Sequence, residues 1–408
     1  MKPSVGDRLE IEIIKVVHGG FGLARQDGFV IFVKGALPGE KVAAEVYEVK
    51  KSHGFAHLLE VSTESPYRKP HIWPEADYSR SIASRVGGAD YGHIQRDYQL
   101  ELKRLILEDS LVRFGKVGKQ LAGSVSVSAL PGDDAGLHWR TRTTLHVSSD
   151  GTVGPYAEAS HTVVPVASLP LSTGESEALG VLSGDFSGHQ RIRVVHPSRS
   201  EPRLIIDQQK PEPITEWVAD IPFQLTDQSF WQVHHYAATA LFDSVVSTVR
   251  QLSLDPKATH WDLYGGVGLL ARALLDSLGP DARVVSVESD EEASRFAASN
   301  LEPFHNARAV ASATEDFLTH HDDSHNSGPL GVVVLDPPRS GAKEVVVHRI
   351  CERIPHAVVY VACDPVALGR DLGLFRERGY LPTQMSGLDF FPHTHHFETI
   401  AVLQKETD

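Results

Sequence analysis

The sequence predicts an α/β protein in three parts: an OB-like β-barrel over residues 1–62, a β-rich centre over 63–215 and a Rossmann-like domain over 216–408. Three observations predict it. From Phe223 onward, short β-branched runs alternate with amphipathic stretches, the pattern of a doubly wound and mostly parallel sheet. Before residue 63, strand-like runs are separated by Gly19-Gly20, Asp27-Gly28 and Pro38-Gly39, the punctuation of a small barrel. Near the far end, the apolar run Val358-Val359-Tyr360-Val361 stops at Cys363 and is followed by Asp364-Pro365. An N-cap residue with proline after it closes a buried strand and opens a helix.

Composition narrows the function. The 408 residues are enough for two or three domains. Two cysteines, Cys351 and Cys363, are too few for a disulfide framework, a four-cysteine zinc site or a cysteine-ligated iron–sulfur cluster. No apolar run is long enough to span a bilayer and MKPSVGDRLE does not read as a signal peptide, so the cytoplasm is the expected compartment, with no membrane partner. The net charge of −14 argues against a nucleic-acid partner when taken alone. The charge is uneven, however. His138–His146 holds Arg140 and Arg142 with no acid, and His189–Arg203 holds four arginines and one glutamate. These are candidate RNA tracks.

In the barrel, Leu9–Val17, Phe29–Val33 and Lys41–Val49 read as strands, and the size suggests five in all. Residues 63–92 are turn-rich. Ile94–Phe114 reads as a helix with Ile94, Tyr98, Leu102, Leu105 and Val112 on one stripe, a helix that could pack on the last domain. Leu145–Val147, Val163–Val166, Arg191–Val195 and Leu204–Ile206 are expected strands, and Gln232–Leu252 an expected helix. Strands follow at His260–Tyr264, Val284–Glu288, Gly331–Leu335 and Ala357–Ala362, with helices near 269–278, 290–300, 342–353 and 366–378. Two last strands, near Leu381–Gly387 and Glu398–Leu403, lie too close for a crossover helix and are expected to be antiparallel.

The chemistry gathers at strand ends. The turn Tyr264-Gly265-Gly266-Val267-Gly268-Leu269 lies between a strand and a helix, and Glu288 follows about 20 residues on, placed to hold a ribose diol. This pattern fits NAD and S-adenosylmethionine equally. Asp336-Pro337-Pro338-Arg339 is a rigid turn that points a carboxylate into the crevice, with Arg339 beside it. Cys363 sits at a strand end before a capped helix, where a thiolate is favoured. Cys351 reads as a structural thiol. An antiparallel final strand puts Glu398 opposite Cys363 and Asp336. The histidines near 393–396 do not recur at ligand spacing with carboxylates, so no metal is expected, and His234-His235 and His320-His321 read as solvated. A thiol nucleophile, a carboxylate base and an adenosine site suit methylation of uracil C5, a carbon made nucleophilic by thiolate addition at C6.

These residues resemble a known family. GGFGLAR (Gly19–Arg25), VIFVKGALPGE (Val30–Glu40) and the pair Lys50-Lys51 resemble the TRAM domain, an RNA-binding barrel. SFWQV (Ser229–Val233), DLYGGVG, VVSVE, LDPPRSG, YVACDP and FPHTHHFET resemble the RNA 5-methyluridine methyltransferases, and WRTRTTLHV extends the match more loosely into the centre. The resemblance implies a class I methyltransferase domain acting on transfer or ribosomal RNA with S-adenosylmethionine. It implies Cys363 as nucleophile, Glu398 as base, and Gln232, Tyr264, Gly266, Gly268, Leu269, Glu288 and Asp336 around the cofactor. It also implies RNA contacts from Lys50, Lys51, Arg140, Arg142 and Arg339, and no protein partner.

Three departures from that family stand out. Val86-Gly87-Gly88-Ala89 replaces the Cys-Gly-Gly-Cys of members that carry an iron–sulfur cluster, so no such cluster is expected. Asp364 replaces an asparagine, and an acid there opposes the helix terminus in setting the thiol's pKa. Gly265 replaces a cysteine. Two rival readings stay open on sequence alone. One is a non-catalytic RNA-binding protein that keeps the fold, and the other is a nicotinamide oxidoreductase.

Overall fold

The computed structural model describes residues 2–406 apart from 133–134, 256 and 321–328. The barrel has six strands where five were expected: β1 (Arg8–Glu12), β2 (Lys15–Val17), β3 (Phe21–Gln26), β4 (Phe29–Lys34), β5 (Lys41–Val49) and β6 (His53–Thr63), in the order β1-β5-β6-β4-β3-β2. The run Leu9–Val17 is broken in two at Ile13-Ile14, which produces the extra strand. Alternate residues turn inward, so Ala24, Ile31, Val33, Val46 and Ala56 fill a small core.

Helix α1 (Arg96–Arg113) packs on the C-terminal domain with Leu102, Ile106, Leu107 and Leu111 buried. The expected stripe is partly wrong, because Leu105 is 41% exposed. Polar Gln99 and Lys103 take places on the buried face, which apolar periodicity cannot report. The short helix α2 (Lys119–Gly123) leads to β7 (Val127–Ala129), an edge strand of the C-terminal sheet.

The centre holds β8 (Arg142–Val147), β9 (Val153–Gly154), the short helix α3 (Gly174–Ala178), β10 (Arg191–Val195) and β11 (Arg203–Ile206), with sheet order β11-β10-β8-β9. The expected strand at Val163–Val166 is absent among the described residues. Only Val163 makes a bridge, to Tyr156, and Pro165 removes a ladder donor. The hairpin β12 (Pro213–Val218) and β13 (Ile221–Thr226) follows. Val86 and Ala89, where cluster cysteines would stand, are buried in the apolar core of this region with Trp73 and Trp139.

Helix α4 (Ala237–Arg250) begins five residues later than expected. Val233 is held out of it by Thr141, whose backbone N–H and hydroxyl both donate to the Val233 carbonyl. His234 is buried, against expectation, with its ring 5.5 Å from that of Trp139 and nearly parallel to it. His235 and His320 are exposed, and His321 lies outside the described residues.

The rest alternates: β14 (Thr259–Leu263), α5 (Leu269–Leu278), β15 (Arg283–Glu288), α6 (Glu291–Leu301), β16 (Ala307–Ala311), α7 (Thr314–His320), β17 (Leu330–Leu335), α8 (Lys343–Glu352), β18 (Ala357–Ala362), α9 (Pro365–Glu377), β19 (Tyr380–Asp389) and β20 (Glu398–Lys405). The sheet order is β16-β15-β14-β17-β18-β20-β19-β7. The strands β14 to β18 are parallel, and β20 runs antiparallel between β18 and β19 as expected. Two apolar cores include residues on alternate faces of β17 and β18, with Val333, Val358 and Tyr360 in one and Val332, Val334 and Val359 in the other. Strand order reverses between β14 and β17, which opens a crevice beyond their carboxyl ends. Among the described residues no helix is long and apolar enough to cross a membrane.

Candidate active site

At the reversal point β14 runs into Tyr264, whose φ of 63° turns the chain sharply, and its ring leans on one of the two cores. Gly266 and Gly268 have φ of 53° and 92°, conformations that favour glycine. A Cβ on Gly266 would meet nothing within 4 Å, so a ligand can approach that backbone closely. A Cβ on Gly265 would fall 2.1 Å from Ser286 Oγ and 2.7 Å from Asp262 Oδ2. A side chain at 265 would therefore force Ser286 and Asp262 to shift. Glu288, at the end of β15, accepts from Gly266 N at 3.0 Å and from Asp290 N at 2.8 Å. The carboxylate is thus fixed at the edge of the glycine turn. Leu269 has its side chain buried in the core, which leaves its backbone at the start of α5 as the part open to a cofactor. Gln232 lies half-buried in the non-helical stretch before α4.

Three strand ends meet next to this turn. Asp336 follows β17, Cys363 follows β18 and Glu398 opens β20. Ala362 pairs with Thr399 across β18 and β20, so Cys363 and Glu398 sit one position beyond the same rung. Glu398 is buried, and its Oε1 has no hydrogen-bond partner. Burial, reinforced by Asp336, holds the Glu398 carboxyl well above the usual carboxylate range. Burial and the charge of Asp262 raise Asp336 to about 7.

The thiol departs from the sequence expectation. Burial, then Glu398 and Asp336, push Cys363 up to about 12, with Arg339 opposing and Asp364 adding to the rise. The terminus of α9 does not prevail, because burial and then the carboxylates of two other strands disfavour the thiolate. Asp364 is the expected cap, accepting from Val366 N at 3.0 Å and Ala367 N at 2.8 Å. Burial raises its pKa, but hydrogen bonds from His18 and the helix amides outweigh that and hold it below the usual range. His18 Nε2 lies 3.2 Å from Asp364 Oδ2, so the barrel reaches the residue beside the thiol. With a pKa near 12, only about 10⁻⁴ of Cys363 is thiolate at about pH 8. Alkylation of Cys363 by iodoacetamide, read by peptide mass spectrometry, should therefore rise about tenfold per pH unit up to about pH 10. A midpoint below about pH 8 would contradict this account.

Several supporting residues escaped the sequence reading. Asp389 is buried and takes Lys103 Nζ at 2.5 Å, together with Arg96. Gln99 clamps His393, donating to its Nδ1 at 2.9 Å and accepting from its backbone N at 3.0 Å. His395 Nδ1 lies 2.6 Å from Asp90. These bonds fasten the loop between β19 and β20, and so the start of β20 where Glu398 stands. Arg339 is exposed beside the crevice, and Lys50 and Lys51 are exposed on the barrel. Arg140 and Arg142 line a cleft in the centre with Trp73, Gly87 and Gly88. Arg142 bonds Glu216 at 3.0 Å and the Ser229 carbonyl at 2.6 Å, so fold contacts hold much of its guanidinium.

Fold and crevice together define a Rossmann-like methyltransferase domain joined to a curled N-terminal sheet. The TRAM domain family matches residues 2–59. An uncharacterised RNA methyltransferase of Streptomyces avermitilis is 31% identical over 98% of this chain and 99% of its own length. Another, from Corynebacterium diphtheriae, is 30% identical over 98% of this chain and 97% of its own length. Among solved structures, the tRNA (uracil-54, C5)-methyltransferase of Pyrococcus abyssi, in complex with S-adenosyl-L-homocysteine, matches with a TM-score of 0.70 at 20% identity, covering 96% of this chain and 100% of that one. The chain belongs to the family of TRAM-bearing RNA methyltransferases.

Proposed function

We propose that this protein transfers a methyl group from S-adenosylmethionine to C5 of a uridine in transfer or ribosomal RNA, through a covalent bond between Cys363 and C6. One observation carries the reading: Cys363 and Glu398 sit side by side just beyond one rung of the sheet, with Asp336 close enough to act on both. The activity of the archaeal neighbour on tRNA uracil agrees with it.

The residues fit the cofactor. The open backbone of Gly266 can take an adenosine, Glu288 can hold its ribose diol, and the crowded acids Asp336 and Glu398 suit a cation. When bound, the cofactor supplies an electrophilic sulfonium methyl. With a positive charge in the crevice, Cys363 and the two carboxyls ionise more readily.

Cys363 gives its proton to solvent and its sulfur bonds to C6, moving an electron pair through C5 to the C4 carbonyl oxygen as an enolate. C5 then takes the methyl group as the methyl–sulfonium bond breaks, leaving the neutral thioether S-adenosylhomocysteine. Glu398 removes the remaining C5 proton, the C5–C6 double bond re-forms and the C6–S bond breaks, returning the thiolate. The base must be extruded from its stack to reach the crevice.

Nucleoside mass spectrometry after incubation with S-adenosylmethionine tests this, with unmodified transfer RNA and ribosomal RNA in separate tubes. A gain of 5-methyluridine in one tube is expected. No methylated nucleoside in either would leave the chain a non-catalytic RNA binder on this fold.

A further inference from the structure

A half-solvated sheet normally turns polar residues outward. The barrel does otherwise. On β3, β4 and β6 the inward positions are Gly22 and Ala24, Ile31 and Val33, and Gly54 and Ala56. Their outward neighbours include Phe21, Phe32 and Phe55, and Tyr47 stands exposed on β5. Phe32 and Phe55 are direct partners across β4 and β6, with ring centroids 5.4 Å apart. Phe21 lies 5.6 Å from Phe55, Tyr47 lies 6.1 Å from it, and Tyr47 stacks on His57 at 4.2 Å. Phe21, Phe32, Phe55 and Tyr47 belong to none of the four apolar cores found among the described residues. Phe21, Phe32 and Phe55 are half-buried against one another, so these rings form a surface cluster of their own outside every domain core.

The position of the patch is informative. Phe21 follows Gly20, where an added Cβ would sit 3.2 Å from His395 Cβ. His18, just before, reaches Asp364, and its ring lies 6.4 Å from that of His395. One end of the aromatic row thus adjoins the crevice. Lys50 Nζ lies 5.5 Å from the centre of the Phe55 ring, the ring that meets Phe21, Phe32 and Tyr47 alike, with Glu48 3.3 Å from the same ammonium, and Lys51 follows. A surface cluster of rings with a lysine at its middle has the chemistry of a nucleobase platform, because every base has a π-face and every phosphate a charge.

We infer that Phe21, Phe32, Phe55 and Tyr47 form a stacking track for single-stranded RNA, which leads the nucleotides flanking the target away from the crevice and across the barrel. This deepens the proposed RNA activity and rests on it for the identity of the ligand. It adds a site distinct from the lysines, one that reads unpaired bases and not backbone charge.

The test is fluorescence anisotropy of the full chain with labelled oligouridine and with an RNA duplex of equal length, in wild type and in Phe32→Leu and Tyr47→Leu. Leucine keeps apolar bulk, and unfolding midpoints check that the barrel is intact. Each variant is expected to bind oligouridine roughly 5- to 100-fold more weakly, with an unchanged salt slope and unchanged duplex binding. Lys50→Ala, in contrast, should lower the salt slope by about 1 for both ligands. Variants that bind oligouridine like wild type, or that lose both ligands equally, would overturn the inference. Binding here needs neither cofactor nor turnover. Failure of methylation and failure of the track are therefore read separately.

Discussion

Cys363→Ala is expected to lose methyl transfer by at least ~10⁴-fold, the scale on which losing a covalent nucleophile acts, while S-adenosylmethionine binding stays within about twofold of wild type. The separation follows from geometry. The candidate cofactor contacts lie before α4 and at the ends of β14, β15 and β17, and the thiol follows β18. Glu398→Gln makes the complementary case. Addition at C6 remains possible, but the group that removes the C5 proton is gone, so turnover should fall about 10²- to 10⁴-fold. The RNA should then stay attached, as a protein–RNA band that survives denaturing electrophoresis and is absent from Cys363→Ala. Near-normal turnover in Cys363→Ala would rule out the covalent route. Free RNA alone in Glu398→Gln would remove Glu398 from the role of base.

Lys103→Ala is expected to destabilise the protein by about 3–5 kcal/mol, because it leaves the buried Asp389 without one of its two cations. At roughly 2–4 °C per kcal/mol, the unfolding midpoint should drop by about 10 °C. Lys103 is fully buried, and its Nζ also donates to the Phe391 carbonyl at 3.2 Å, so the variant loosens the loop that carries the chain into Glu398. Measured below the new midpoint, turnover should fall more than cofactor affinity does. A midpoint within about 1 °C of wild type would show that Arg96 alone satisfies Asp389.

Much of the crevice was legible because its signals are local. Gly266 and Gly268 mark a turn, Asp364-Pro365 caps a helix, and the short spacing between the last two strands forces β20 to run back beside β18. What stayed hidden depends on distant partners. Lys103 meets Asp389 across 286 positions of sequence, and nothing in the helical periodicity of α1 announces it. The thiol was misjudged in a different way: Glu398 and Asp336 were expected opposite Cys363, but the burial that raises its pKa most is set by the whole crevice and leaves no mark in the local sequence. Arg142 reads as a free basic residue until Glu216, on β12, is seen beside it. The aromatic face of the barrel was overlooked because its rings come from four strands.

The pairing of β18 with β20 acts as a ruler. Six successive residue pairs, from Ala357 with Gln404 to Ala362 with Thr399, set how far Glu398 stands from Cys363. Side chains alternate in direction along a strand, so a slip of one residue would carry the carboxylate to the opposite side of the sheet. The outer loops of this protein can drift in length over evolutionary time with little consequence for chemistry. Residues 399–404 have no such freedom. A single codon gained or lost there would leave the nucleophile and its base both present but on opposite faces of the sheet.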